Sequence, residues 1–134
     1  MLTSYIKNIK EEKMEFCFKY KKKRIKVGVT KCNFFRRGIG LMFSRKKNAG
    51  ALLFDFGKKT DLALTSYFVF FPFIAIWLDE KNNVLDLKTI RPFKLIIKPE
   101  KPFRRIVEIP LNNKYLEQIK LLVGNKKDLK REID

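Results

Sequence analysis

Few side chains in this sequence have the type and spacing that chemistry requires. Histidine is absent from all 134 residues, which removes Ser-His-Asp and Cys-His triads, HExxH zinc sites and imidazole acid–base catalysis. Two cysteines, Cys17 and Cys32, are too few for an all-thiolate zinc site, and neither has an imidazole to activate it. They could form a disulfide if their Cα atoms came within about 7 Å, but two buried free thiols suit an intracellular chain better. Asp79, Glu80 and Asp86 gather around one expected hairpin and offer oxygen ligands to a hard cation. Carboxylates beside a turn are usually solvated, so no metal is expected there. Gly38-Ile39-Gly40 lacks the lysine–hydroxyl ending of a phosphate loop. Glu108, close to Arg104 and Arg105, reads as a partner in surface ion pairs rather than as an acid–base residue. No catalytic residue and no cofactor is expected, and the reading leans away from an enzyme.

Charge is the property that remains. The chain carries 31 basic and 14 acidic residues, a net +17. Residues 1–50 hold +12 of it, residues 51–80 are at −2 and residues 81–134 at +7. Such a balance favours polyanions such as RNA, DNA or anionic lipid. Three clusters could present it: Lys21, Lys22, Lys23 and Arg24; Arg36 and Arg37; and Arg45, Lys46 and Lys47. Phe34 and Phe35 sit beside the arginines and would stack on bases if exposed, although core burial is their commoner fate. Proteome composition competes with this reading, since 23 lysines against 8 arginines, 13 isoleucines and one glutamine describe a Lys/Ile-rich chain. The expected function is a small, basic, non-enzymatic binding module for nucleic acid or another polyanion. The alternative is a small-ligand-binding or enzymatic protein using a cleft near Pro72–Asp79.

The elements that would position these residues are mostly strands. Glu15–Tyr20 and Ile25–Val29 alternate apolar and polar positions, and Lys21–Arg24 between them reads as a basic hairpin tip. Tyr5–Lys13 reads as a short charged helix, and Asn33 caps a helical turn near Phe34–Met42. Gly50–Phe56 is an apolar strand followed by a Gly57–Asp61 turn. Phe73–Leu78 and Val84–Ile90 flank a turn holding Asn82 and Asn83, Arg91–Pro102 is a loop, and Phe103–Ile109 is a strand stopped by Pro110. Asn112 or Asn113 caps a helix over Lys114–Val123 that Gly124 ends. The fold class is mainly β, a small antiparallel β sandwich or barrel with one or two short helices. Residues 1–134 make a single domain, with 1–13 and 125–134 as frayed termini.

The uncharged run Leu62–Leu78 reaches only the shortest length of a spanning helix, and Pro72, Thr65-Ser66 and dense β-branched and aromatic residues favour buried strands. No transmembrane segment is expected. Met1–Met14 lacks the apolar stretch of a secretory signal, so the expected location is the cytoplasm. Both faces of a Ser66–Phe73 strand would be apolar, which suggests burial of both, a homodimer through this strand, or a hydrophobic ligand groove.

Gly40-Leu41-Met42-Phe43 followed by Gly50-Ala51-Leu52-Leu53-Phe54-Asp55-Phe56 resembles the paired signatures of an uncharacterised family, domain of unknown function 192. Pro72, Ile76-Trp77-Leu78-Asp79, Pro92 and Glu108-Ile109-Pro110 agree in order, over about residues 27–122. The resemblance implies a compact β sandwich or barrel with short helices and no established activity. Family members commonly place polar residues before the proline and an aspartate two residues after it. Here Ser66, Tyr67, Phe68 and Val69 precede Pro72, and Ile74 follows.

Overall fold

Strict alternation makes the first hairpin. In the computed structural model, which describes residues 12–32, 46–64, 69–94, 96–124 and 133, β1 (Glu12–Tyr20) and β2 (Lys23–Cys32) pair antiparallel without interruption. Phe16, Phe18, Ile25, Val27 and Val29 point to the core, and Lys19, Arg24, Lys26 and Lys31 to solvent. The expected helix over Tyr5–Lys13 is corrected at its end, where Glu12 and Lys13 belong to β1. The remainder of that helix, and the helical turn near Phe34–Met42, lie outside the described residues.

The other strands are β3 (Ala51–Thr60), β4 (Phe73–Leu78), β5 (Val84–Ile90) and β6 (Phe103–Pro110). They complete one six-stranded sheet of order β1-β2-β3-β6-β4-β5. β2 and β3 run parallel, from Val29 opposite Ala51 to Cys32 opposite Phe54, while the other pairings are antiparallel. The sheet is therefore mixed rather than wholly antiparallel. Residues 33–50, between β2 and β3, are long enough for the crossover that a parallel pair demands. β3 also outruns its expected end. Gly57 takes φ +73 and the β3–β6 register shifts between Asp55 and Thr60, so the expected turn is a bulge inside a longer strand.

Curvature brings the sheet edges together at one corner. Lys19 N donates to Asn82 O at 2.9 Å, and Lys19 forms a parallel bridge with Asn83, so β1 meets the β4–β5 turn and the sheet becomes a half-barrel. One face buries Phe18, Ile25, Leu53, Ile76 and Val107 beneath Ile119 and Leu122 of the helix α1 (Leu116–Val123). Asn112 starts that helix through a 3-10 turn, accepting from Lys114 N at 3.1 Å, and Gly124 at φ +78 closes it. The Asn112 side-chain amide also donates to Lys46 O and Ala49 O, which anchors the approach to β3. The opposite face packs Leu52, Phe54, Phe73, Trp77 and Ile106 with Val69, Phe71 and Ile97.

The aromatic run resolves differently from a continuous strand. Residues 69–72 are not strand, β4 begins only at Phe73, and Val69, Phe71 and Phe73 are buried while Phe70 is exposed. Pro72 lacks the N–H a ladder needs and sits just ahead of β4, where its carbonyl accepts from Leu111 N. Residues 65–68 lie outside the described residues. Among the described residues, no helix is long and apolar enough to cross a membrane.

Candidate functional site

Two lysines make the turn of the first hairpin. Tyr20 opposite Lys23 leaves Lys21 and Lys22 as a two-residue loop, with φ +48 and +66. Two successive positive φ values define the turn whose twist matches the flanking strands, a turn that ordinarily takes Asn-Gly. Residues with a Cβ in this region cost on the order of 1–2 kcal/mol each. Lys19 and Arg24 stand directly opposite each other, which puts like charges across the ladder. Lys21, Lys22, Lys23 and Arg24 are all exposed, and the Lys21 ammonium lies 5.3 Å over the Tyr20 ring. Among the described residues no carboxylate lies within ion-pair distance of these four. The local sequence thus concentrates positive charge on a strained, exposed tip.

The neighbouring β4–β5 turn is held by Asp79. Its carboxylate accepts from Lys81 N and Asn83 N at 2.9 Å each and from Asn83 Nδ2 at 3.2 Å. Partial burial pushes the Asp79 pKa up, but the hydrogen bonds from Asn83 and Lys81 outweigh it and hold the carboxyl below its usual range. Arg105 ties this turn to the sheet, reaching Asn82 Oδ1 at 3.0 Å and Glu80 O at 3.2 Å while its Nε bonds Asp55 at 3.0 Å. Arg104 also reaches Asp55, at 3.5 Å. Burial pushes Asp55 up, and the Gly57 N–H with both guanidiniums brings it below the ordinary value.

A groove of about 290 Å³ opens here, rimmed by Lys59, Lys101 and Arg104 with Asp79, Glu80 and Phe103. It corresponds to the expected Pro72–Asp79 cleft only at the Asp79 end, because Pro72 lies at the far end of β4. Asp86 accepts from Leu87 N and Glu100 N. Among the described residues no three ligating side chains converge as a metal site.

Among the described residues, Lys46 and Lys47 stand apart from the Lys21–Arg24 tip. Lys46 and Lys47 lie in a turn beside the start of α1, where Lys114 Nζ donates to Asn48 O. The strand that this turn feeds opens opposite Val29, five residues and roughly 17 Å of strand from Arg24. Arg36, Arg37 and Arg45, like Phe34 and Phe35, lie outside the described residues. Cys17 pairs across from Lys26, well along the ladder from Cys32, and the two thiols are not disulfide-bonded to each other.

Glu108 departs most from its expected role. Arg104 and Arg105 hold Asp55 instead, and Glu108 is buried between Leu52 of β3 and Ala75 of β4. Burial alone pushes its carboxyl up to about 8. One residue pair along the same face, Trp77 sits opposite Ile106, its buried indole N–H without an acceptor among the described residues. The missed signal is local: an acid inside the apolar run Ile106-Val107-Glu108-Ile109 belongs to a central strand, where both faces are covered.

A family model described as an uncharacterized ACR, DUF192, matches residues 16–128. The chain belongs to the DUF192 family. Similar proteins include UPF0127 proteins of Pyrococcus abyssi, 26% identical over 94 residues, and of Pyrococcus horikoshii, 29% identical over 94 residues. Those matches span 70% of this chain and 78% and 79% of the relatives. Two solved structures share the fold. A Sinorhizobium meliloti protein described as a "putative transcription regulator" superposes with TM-score 0.63 at 17% identity, covering 75% of this chain and 81% of that one. A Novosphingobium aromaticivorans protein of unknown function gives 0.64 at 11% identity, covering 77% and 82%.

Proposed function

We propose that this DUF192 protein is a non-enzymatic binding module for nucleic acid, with the β1–β2 tip as its principal contact. The observation that carries this reading is the exposed Lys21-Lys22-Lys23-Arg24 turn, held at two positive φ values with no acidic partner among the described residues. The Lys19–Asn82 hydrogen bond braces the tip, so its charges are presented by a fixed scaffold rather than a loose loop. Binding proceeds by neutralising phosphates and releasing condensed counterions, without base readout. The regulator description of the Sinorhizobium meliloti protein is compatible with this reading.

Replacing Lys21, Lys22, Lys23 and Arg24 together by glutamine tests it by titration against duplex DNA and RNA at several salt concentrations. Affinity is expected to fall, and the log–log salt slope on the duplex to flatten by about 0.9 for each phosphate contact removed. Thermal stability stays the same or rises slightly, because opposed like charges are relieved. Unchanged nucleic-acid binding would return the basic excess to composition.

A further inference from the structure

The open end of the β4–β5 hairpin, where Phe73 pairs with Ile90, carries an apolar prong. Phe70, just before β4, and Phe93, just after β5, are each 59% exposed, with ring centroids 6.1 Å apart in an edge-to-face contact. Ile96, three residues further on, is 75% exposed. Phe93 holds its ring outward from a left-handed backbone at φ +67, a conformation bulky residues rarely adopt and that clusters at ligand-contacting segments. Around the prong the chain is cationic: residues 87–99 contain Lys88, Arg91, Lys94 and Lys98 and no acidic residue. Arg91, Lys94 and Lys98 are exposed.

The charge selects the occupant. A second copy related by two-fold symmetry would press this cationic collar against itself. A nucleic-acid strand would use the two rings but leave the aliphatic Ile96 in water, and an edge-to-face pair offers no parallel stacking platform. An anionic bilayer satisfies both parts, taking the rings and Ile96 into the headgroup–acyl boundary and the cations at its phosphates. We propose that this loop cluster docks the protein on an anionic lipid surface, with Phe70, Phe93 and Ile96 inserting and Arg91, Lys94 and Lys98 engaging headgroups. The surface lies at the opposite end of the β4–β5 hairpin from the Asn82 turn that braces the nucleic-acid tip, so it is independent of that reading.

Co-sedimentation of the full chain with vesicles tests it, comparing phosphatidylcholine alone with an equal mixture of phosphatidylcholine and phosphatidylglycerol. Because a +17 chain adsorbs to any anionic surface at low salt, the decisive arm is run at high salt with the double variant Phe93→Asn, Ile96→Ser. Asparagine tolerates the left-handed backbone, and both positions are exposed, so the fold is kept; Phe70→Ser provides a second variant. Wild type is expected to stay on mixed vesicles at high salt, with the double variant losing about tenfold or more in partitioning. In the same high-salt arm, glutamine at Arg91, Lys94 and Lys98 should reduce the preference for the anionic mixture severalfold. Equal retention of wild type and double variant, or no retention on mixed vesicles, overturns the proposal. So does a wild-type dimer that the double variant lacks, or loss of DNA binding in the double variant with vesicle binding intact.

Discussion

Ionising Glu108 would strand a negative charge between Leu52 and Ala75 with no cation among the described residues to meet it. The folded carboxyl holds its proton up to about 8, against 4.5 in an unfolded chain. The linkage sign follows: both states are protonated below about pH 4.5, so the Glu108 contribution to stability is fully present there, declines as pH rises, and is gone above about pH 8. At about 1.4 kcal/mol per pKa unit, the loss is on the order of a few kcal/mol. Glu108→Gln should remove this decline, so denaturant melts of the variant at pH 9 should exceed wild type by a few kcal/mol, with the gap closing at pH 5. A variant that follows the wild-type profile would refute the assignment. Trp77, the only tryptophan, lies on the same face and supplies an emission signal for the same titration. The apolar neighbours Ile106, Val107 and Ile109 signal this burial in the sequence; the misleading cue is the nearness of Arg104 and Arg105, which spend their charge on Asp55, some fifty residues earlier.

Strand alternation and helix caps are local signals, and the elements that depend on them were readable. β1 and β2 follow their alternation, and Asn112 and Gly124 bound the helix as their side chain and backbone dictate. Elements that depend on distant partners were not readable. Gly57 has the signature of a turn, yet its positive φ serves a bulge because β6 lies alongside. The parallel β2–β3 pair leaves no mark in either strand. At the basic tip, local preference and native structure disagree, and the disagreement is measurable. Lys21→Asn with Lys22→Gly supplies the residues this turn prefers and should raise stability by about 1 kcal/mol, read from the denaturant midpoint. The same pair should weaken nucleic-acid binding. A stability loss would mean that the lysines make contacts worth more than their strain.

Across the whole molecule, β6 is the join. It pairs with β3 on one side and β4 on the other, so without it the β1–β2–β3 half and the β4–β5 half keep, among the described residues, only the Lys19 bridge to the Asn82–Asn83 turn. A chain ending at residue 102 should therefore lose cooperative thermal unfolding altogether, rather than melt at a lower temperature. Circular dichroism checks this, and a sharp transition in the shortened chain would contradict the topology. Such a dependence is invisible to any reading along the sequence, which meets the strands in order and has no means of seeing that the last of them stands fourth across the sheet.

That position has a consequence on the ribosome. β3 is finished at Thr60 and β4 at Leu78, but the strand both require is complete only at Pro110. At about 5–20 residues per second, β3 waits roughly 3–10 s beside a nascent chain that cannot yet cover it. During that interval Leu52 and Phe54, and once residue 78 is made the uniformly apolar β4 as well, lack the strand that pairs with them. The dense lysines of the first fifty residues emerge ahead of this hydrophobic stretch and keep the growing chain self-repelling while it is exposed.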